Sequence, residues 1–148
     1  MLLSAVFPGS FNPIHKGHID IIKRASKLFK TLYVAVSINV DKPVDDLNKR
    51  VLNVKKMVNN LHLKNVKVIT NIGLTTSLLK KIKCKYIVRS IRNCKDVGYE
   101  LNMAQNNHLL DKNIETIFFV ADKKLKEVSS TNQKELIRQK KLLQQRNK

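Results

Sequence analysis

The chain has 148 residues, with 29 Lys and Arg against 11 Asp and Glu, and a formal net charge of +18; such a surface attracts phosphate-bearing ligands. Apolar residues at 43% exclude an intrinsically disordered chain and suit one globular domain over 1–148. Aromatics at 5% with no Trp leave few platforms for stacked bases, so most of the charge reads as solvated helix faces, not as a dedicated nucleic-acid groove.

In chain order, Leu2–Phe7 reads as a buried strand, short, apolar and ended by Pro8-Gly9. Gly17–Phe29 reads as a helix with Ile22, Ala25 and Phe29 on one stripe, and Leu32–Val36 as a second buried strand. Asp46–Leu61 has the cleanest period: Leu47, Val51, Val54, Val58 and Leu61 fall on one face of an amphipathic helix. Val66–Ile69 is a third strand, Thr75–Lys81 a short helix and Tyr86–Val88 a fourth strand. Asp96–Leu110 reads as a helix capped by Asp96, with Val97, Leu101 and Ala104 turned inward. Ile117–Ala121 lies in a fifth strand. Ser130 to about Gln145 closes the chain as a basic helix, with 134–148 its most cationic part and Leu136, Leu142 and Leu143 expected to pack. Short apolar strands alternating with helices argue a five-stranded parallel sheet of Rossmann-like α/β type, covered by helices on both faces.

Cys84 and Cys94 have neither CxxC spacing nor a His pair beside them, so both read as buried free thiols in a reducing cytosol, and no metal site is expected. The apolar start lacks a basic region ahead of it and does not read as a signal peptide. No apolar run is long enough to span a bilayer, so no membrane partner is expected.

On such sheets ligands lie outside the carboxyl ends of the strands, and three segments follow strand ends. The first is Pro8-Gly9-Ser10-Phe11-Asn12-Pro13-Ile14-His15-Lys16-Gly17-His18, of the form GxFxPxHxGH. Gly9 and Gly17 permit close backbone approach to a ligand, and the prolines stiffen the loop. His18 falls in the first turn of a helix, where free N–H groups and the dipole draw anions. A lone histidine there would read as a cap. Two at i and i+3 inside a Gly/Pro frame point to a nucleotide site. The second segment is Arg89-Ser90-Ile91-Arg92, whose two guanidinium forks suit phosphate oxygens. The third, Val128-Ser129-Ser130-Thr131, places hydroxyls at a helix start, as a cap or a phosphate cradle.

The first frame resembles the HxGH signature of the nucleotidyltransferase superfamily. Together the three resemble phosphopantetheine adenylyltransferases, which carry PGTFDPxTxGH, RGLR followed by YExxxA, and ISSS in the same order. This chain reads PGSFNPIHKGH, RSIR with Tyr99-Glu100 and Ala104, and VSST, matching from about Ala5 to Arg138. The resemblance implies transfer of AMP from ATP to 4′-phosphopantetheine, giving dephospho-coenzyme A and pyrophosphate, with Mg²⁺ on the nucleotide. By position it implies His18 at the α-phosphorus and Ser10 and Phe11 against both substrates. Lys42 would orient the acceptor phosphate, and Thr75 and Arg89 would hold phosphopantetheine. Ser90, Ile91, Arg92, Glu100 and the run Leu125, Lys126, Glu127, Val128, Ser129, Ser130, Thr131 would line the ATP pocket. Arg92 joins His18, Ser10 and Lys42 as a catalytic candidate. A cytoplasmic homo-oligomer, a hexamer built from trimers, is implied as well. The chain departs from the family in Ser10, Asn12, Ser90, Leu125, the single Lys42-Pro43 and the tail from Lys140.

The implied reaction is in-line attack by an acceptor phosphate that is already anionic. It needs positioning and charge stabilisation more than a strong base. Two other readings stand beside it. Nicotinate-mononucleotide adenylyltransferases and cytidylyltransferases share the first motif, and a non-enzymatic basic nucleic-acid-binding module would explain the charge.

Overall fold

In the computed structural model of the chain, residues 3–38, 47–122 and 130–146 are described, with the backbone alone for 130–136. The elements alternate: β1 (Ser4–Gly9), α1 (Lys16–Ser26), β2 (Thr31–Ser37), α2 (Leu47–Asn59), β3 (Val66–Asn71), α3 (Thr75–Lys81), β4 (Tyr86–Ile91), α4 (Cys94–Leu110), β5 (Glu115–Val120) and α5 (Ser130–Arg146). All strand pairs are parallel, in the order β3-β2-β1-β4-β5. The chain steps outward from β1 to β3, then returns to lay β4 on the other side of β1. That reversal is where α/β sheets open a crevice at the strand ends.

Alternation along the strands sorts the core into two layers. Ala5, Phe7, Leu32, Val34, Val36 and Val88 pack on one face with Ile21, Ile22 and Ala25 of α1 and Val51, Val54 and Val58 of α2. Val6, Ala35 and Ile87 pack on the other with Leu79 of α3, Cys84 and Ile114. The period-two geometry of a strand requires this split, and helices cover both faces. The α2 stripe lies inward as its period requires, with Leu47 and Leu61 partly buried at its ends.

Several sequence expectations are corrected. β1 does not stop before Pro8-Gly9; it pairs with β2 through Pro8↔Ala35 and Gly9↔Val36. Its ladder to β4 is confined to Ala5↔Tyr86 and Val6↔Ile87. Pro8 lacks an N–H to give that side, so the strands part there and the crevice opens. Helix α1 ends at Ser26; Phe29 still reaches the core from the turn beyond, 7% exposed.

Asp96 does not cap α4. Asn93 does, in extended conformation, its Oδ1 accepting from the backbone N–H of Lys95 and Asp96. Val97 and Leu101 are exposed, and Ala104 alone of the expected stripe is half-buried. The helix is turned so that Glu100 points at Arg89, and that ion pair overrides the apolar period. Cys94, in its first turn, is exposed; Cys84 is buried and its thiol donates to the Ser4 carbonyl. In α5 the described side chains are exposed, Leu142 and Leu143 among them, so neither packs as expected.

Candidate active site

The parting of β1 and β4 leaves a cleft of about 270 Å³, lined by Ser10 and His15 from the loop after β1, by His18 of α1, and by Arg89, Ser90, Arg92, Asp96 and Glu100 from β4, α4 and the turn between them. Ala121, just past β5, closes one side.

The histidine side is built by packing. His15 is the N-cap of α1, its Nδ1 accepting from the Gly17 N–H at 3.1 Å. His18 is the third residue of α1, and its Nδ1 accepts from the His15 N–H at 3.1 Å. The two imidazoles thus form a reciprocal capping box and stack with centroids 3.7 Å apart. Acceptance at Nδ1 requires the Nε2–H tautomer of His18, which leaves Nε2–H as its remaining donor. Beneath lies Phe11, 1% exposed, with its ring 4.9 Å from His18 and edge-on to Phe7 at 5.5 Å. Phe11 adopts φ 47°, a left-handed conformation uncommon for a bulky residue.

The glycines serve these rings. A Cβ on Gly9 would meet the Phe11 ring at 3.1 Å, and one on Gly17 would meet the His15 ring at 2.9 Å. The loop's own aromatics therefore already fill the space near both glycines. Burial, reinforced by charge on His15, Arg92 and Arg89, pulls the His18 imidazole down to about 4. At neutral pH it is an uncharged donor, in keeping with a helix N-terminus that disfavours cations.

The arginine side is built by charge. Arg89 donates from Nε and Nη2 to the two Glu100 carboxylate oxygens at 2.8 and 2.6 Å, and from Nη1 to the Pro8 carbonyl at 2.9 Å. Glu100 is 6% exposed. Such a bidentate, charge-assisted pair is strong and directional, and it bridges the gap left by the broken ladder. Arg92 is more open: it donates from Nε and Nη2 to Asp96 at 3.1 and 3.2 Å, and its backbone N–H donates to the same carboxylate at 2.9 Å. Donation from the Arg92 side chain, then from its backbone, holds the Asp96 carboxyl below its ordinary range.

The cleft thus gathers six of the sequence-derived residues: Ser10, His18, Arg89, Ser90, Arg92 and Glu100. Phe11 supports His18 from within the core and does not line the cleft. Ile91 is half-buried, its carbonyl accepting from the Ala121 N–H at 2.8 Å. Thr75, the first residue of α3, is half-buried outside the cleft. Lys42, Leu125, Lys126, Glu127, Val128 and Ser129 lie outside the described residues; Ser130 and Thr131 begin α5.

Sequence reasoning missed Arg50. It is 8% exposed and donates from Nη1 to the carbonyls of Ser10 and Ser37 at 2.6 and 3.0 Å. The available signal was a cation on the inward stripe of α2, three residues after Leu47 and four before Val54.

Comparison with known proteins agrees with this geometry. The cytidylyltransferase-like family model matches residues 6–136. The chain is similar to the phosphopantetheine adenylyltransferase of Limosilactobacillus fermentum, 47% identical over 89% of this chain and 76% of that one. It is also similar to that of Mycoplasma capricolum, 41% identical over 89% of this chain and 94% of that one. Among solved structures, Plasmodium falciparum nicotinic acid mononucleotide adenylyltransferase superposes with a TM-score of 0.58 at 16% identity, covering 88% of this chain and 82% of that one; this likeness is one of fold. The order of loops around the β1–β4 crevice and the extent of these matches lead to one conclusion: the chain belongs to the phosphopantetheine adenylyltransferase family of cytidylyltransferase-like proteins.

Proposed function

We propose that the chain transfers the adenylyl group of ATP to 4′-phosphopantetheine, releasing pyrophosphate and dephospho-coenzyme A. The observation that carries this reading is a neutral His18 on the first turn of α1, with its Nε2–H left to donate, in one cleft with Ser10, Arg89 and Arg92. An oxygen of the acceptor phosphate forms the new bond to the α-phosphorus as the bond to pyrophosphate breaks. The nucleophile is anionic from the start, so the site needs no base. His18 donates to the α-phosphoryl oxygens as charge gathers on them, where such donors count most.

Arg92, exposed at the cleft mouth, exchanges Asp96 for phosphate oxygens. Arg89, Thr75 and Lys42 serve the acceptor; Ser10 and Phe11 mark the boundary between the two substrates. Ser90, Ile91, Glu100 and the segment from Leu125 to Thr131 serve the nucleotide. Mg²⁺ would be carried by the triphosphate, as is usual for it. The two carboxylates of the cleft are engaged by arginines, and among the described residues no group of three or more His, Cys, Asp or Glu could hold an ion. Bound on the triphosphate, Mg²⁺ would supply charge neutralisation to the departing pyrophosphate.

Among the described residues no helix is long and apolar enough to cross a membrane. The free thiols of Cys84 and Cys94 support a cytoplasmic setting. Exposed Val97, Tyr99 and Leu101 on α4 support a homo-oligomer, which light scattering on the purified chain measures. The deciding experiment is pyrophosphate release from ATP with Mg²⁺, with and without 4′-phosphopantetheine. Release that depends on the acceptor supports the reading. No release with this acceptor, or equal release from CTP, defeats it.

A further inference from the structure

Arg50 has a burial that its partners do not explain. It is 8% exposed, yet among the described residues no carboxylate pairs with it. A guanidinium keeps its charge at any ordinary pH, and a buried charge is costly unless its donors are engaged. Two carbonyls, of Ser10 and Ser37, take its Nη1, while its Nε is buried with no acceptor. One carbonyl closes β2; the other belongs to the loop that bears the histidines.

The Ser10 carbonyl is part of the peptide that leads into Phe11, whose left-handed backbone persists only if its surroundings hold it. The bend drives the Phe11 ring into the core, where it meets Phe7 and forms the floor under His18. Ser10 itself lines the cleft. We infer that Arg50 is a positioning residue for the transfer: by gripping the Ser10 carbonyl it fixes the Ser10–Phe11 bend and, through the Phe11 ring, the seat of His18. A glutamine amide also has two N–H donors, but it is uncharged and stops short of the Nη1 position from which Arg50 reaches both carbonyls. The planar cation anchors the loop end and the β2 end with one nitrogen. The kinetic part of the test rests on the adenylyl-transfer reading; the spectroscopic part does not.

The test uses the full chain with Arg50→Gln and Arg50→Lys. Imidazole ¹⁵N spectra without substrate read the His18 tautomer. In the parent chain His18 shows the Nε2–H form. In Arg50→Gln the two tautomers mix, and kcat for pyrophosphate release falls about 10- to 100-fold, the range for misplacement by a fraction of an ångström to an ångström. The KM for ATP changes less than about twofold, because nucleotide contacts common to ground and transition state are kept. Arg50→Lys recovers part of both. A folded Arg50→Gln with the parental His18 spectrum overturns the inference, even if turnover drops. If Arg50→Gln does not fold, a folded Arg50→Lys decides: an altered tautomer balance supports the role, and an unaltered one ends it. A parent chain that transfers no adenylyl group defeats the reaction reading, while the spectra still judge Arg50.

Discussion

The two walls of the cleft are held by different physics. The wall after β1 presents groups held by shape, namely stacked imidazoles, a buried phenyl ring and glycines that make room for them, with Arg50 gripping the loop from behind. The wall after β4 is held by charge: Arg89 on Glu100, and Arg92 on Asp96. A shape-held wall keeps its donor fixed before ligand arrives, as electrostatic preorganisation requires. A charge-held wall can exchange a carboxylate for a phosphate and move as it does so.

Four variants sharpen this contrast. The largest effect is expected for Glu100→Gln, which leaves Arg89 half-buried without a counter-charge. Denaturant unfolding should show a loss of about 2–3 kcal/mol, below the range for a fully buried pair because Arg89 keeps 22% exposure. Next, His18→Ala should keep ATP binding by calorimetry and lower turnover ~100-fold or more, the scale for losing one donor to developing charge. The same residue gives a pH test. Its folded-state value of about 4 lies below the ordinary 6.5, so folding favours the neutral ring. Its contribution to stability is intact above about 6.5 and is lost as pH falls towards 4. In His18→Ala that part of the acid sensitivity should vanish.

Gly9→Ala should cost about 1–2 kcal/mol by crowding the Phe11 ring, measured by thermal unfolding. Smallest is Asp96→Asn, within about 1 kcal/mol of the parent because Arg92 is 68% exposed. Here the informative readout is inorganic pyrophosphate binding at two salt concentrations. A released Arg92 should bind more tightly, and more so at low salt. Unchanged binding would mean that the charge-held wall does not exchange its partner.

Much of this was legible in the sequence where a local rule coincided with the global one. The α2 period named Val51, Val54 and Val58, because a helix packed on a sheet needs one continuous stripe. The motif after β1 and the arginines after β4 pointed to one rim, because parallel sheets place loops there. Legibility failed where distant partners decided. Glu100 turned α4 away from Val97 and Leu101, and its partner lies eleven residues back on another element. Asn93 outcompeted Asp96 as cap because Asp96 was drawn to Arg92. Arg50 reaches its carbonyls across 13 and 40 residues, a span no periodicity records. Nor does the motif record the left-handed backbone at Phe11, which turns its ring inward beneath His18.

The unequal exposure of the two cysteines has a practical consequence. Burial pushes the Cys84 thiol up, and it stays out of reach in the second core layer. Cys94 stands open in the first turn of α4, two residues from Arg92 and two from Asp96. A maleimide dye added to the folded chain would therefore attach at one place, beside the cleft mouth. Its emission could report nucleotide arrival without any engineered handle.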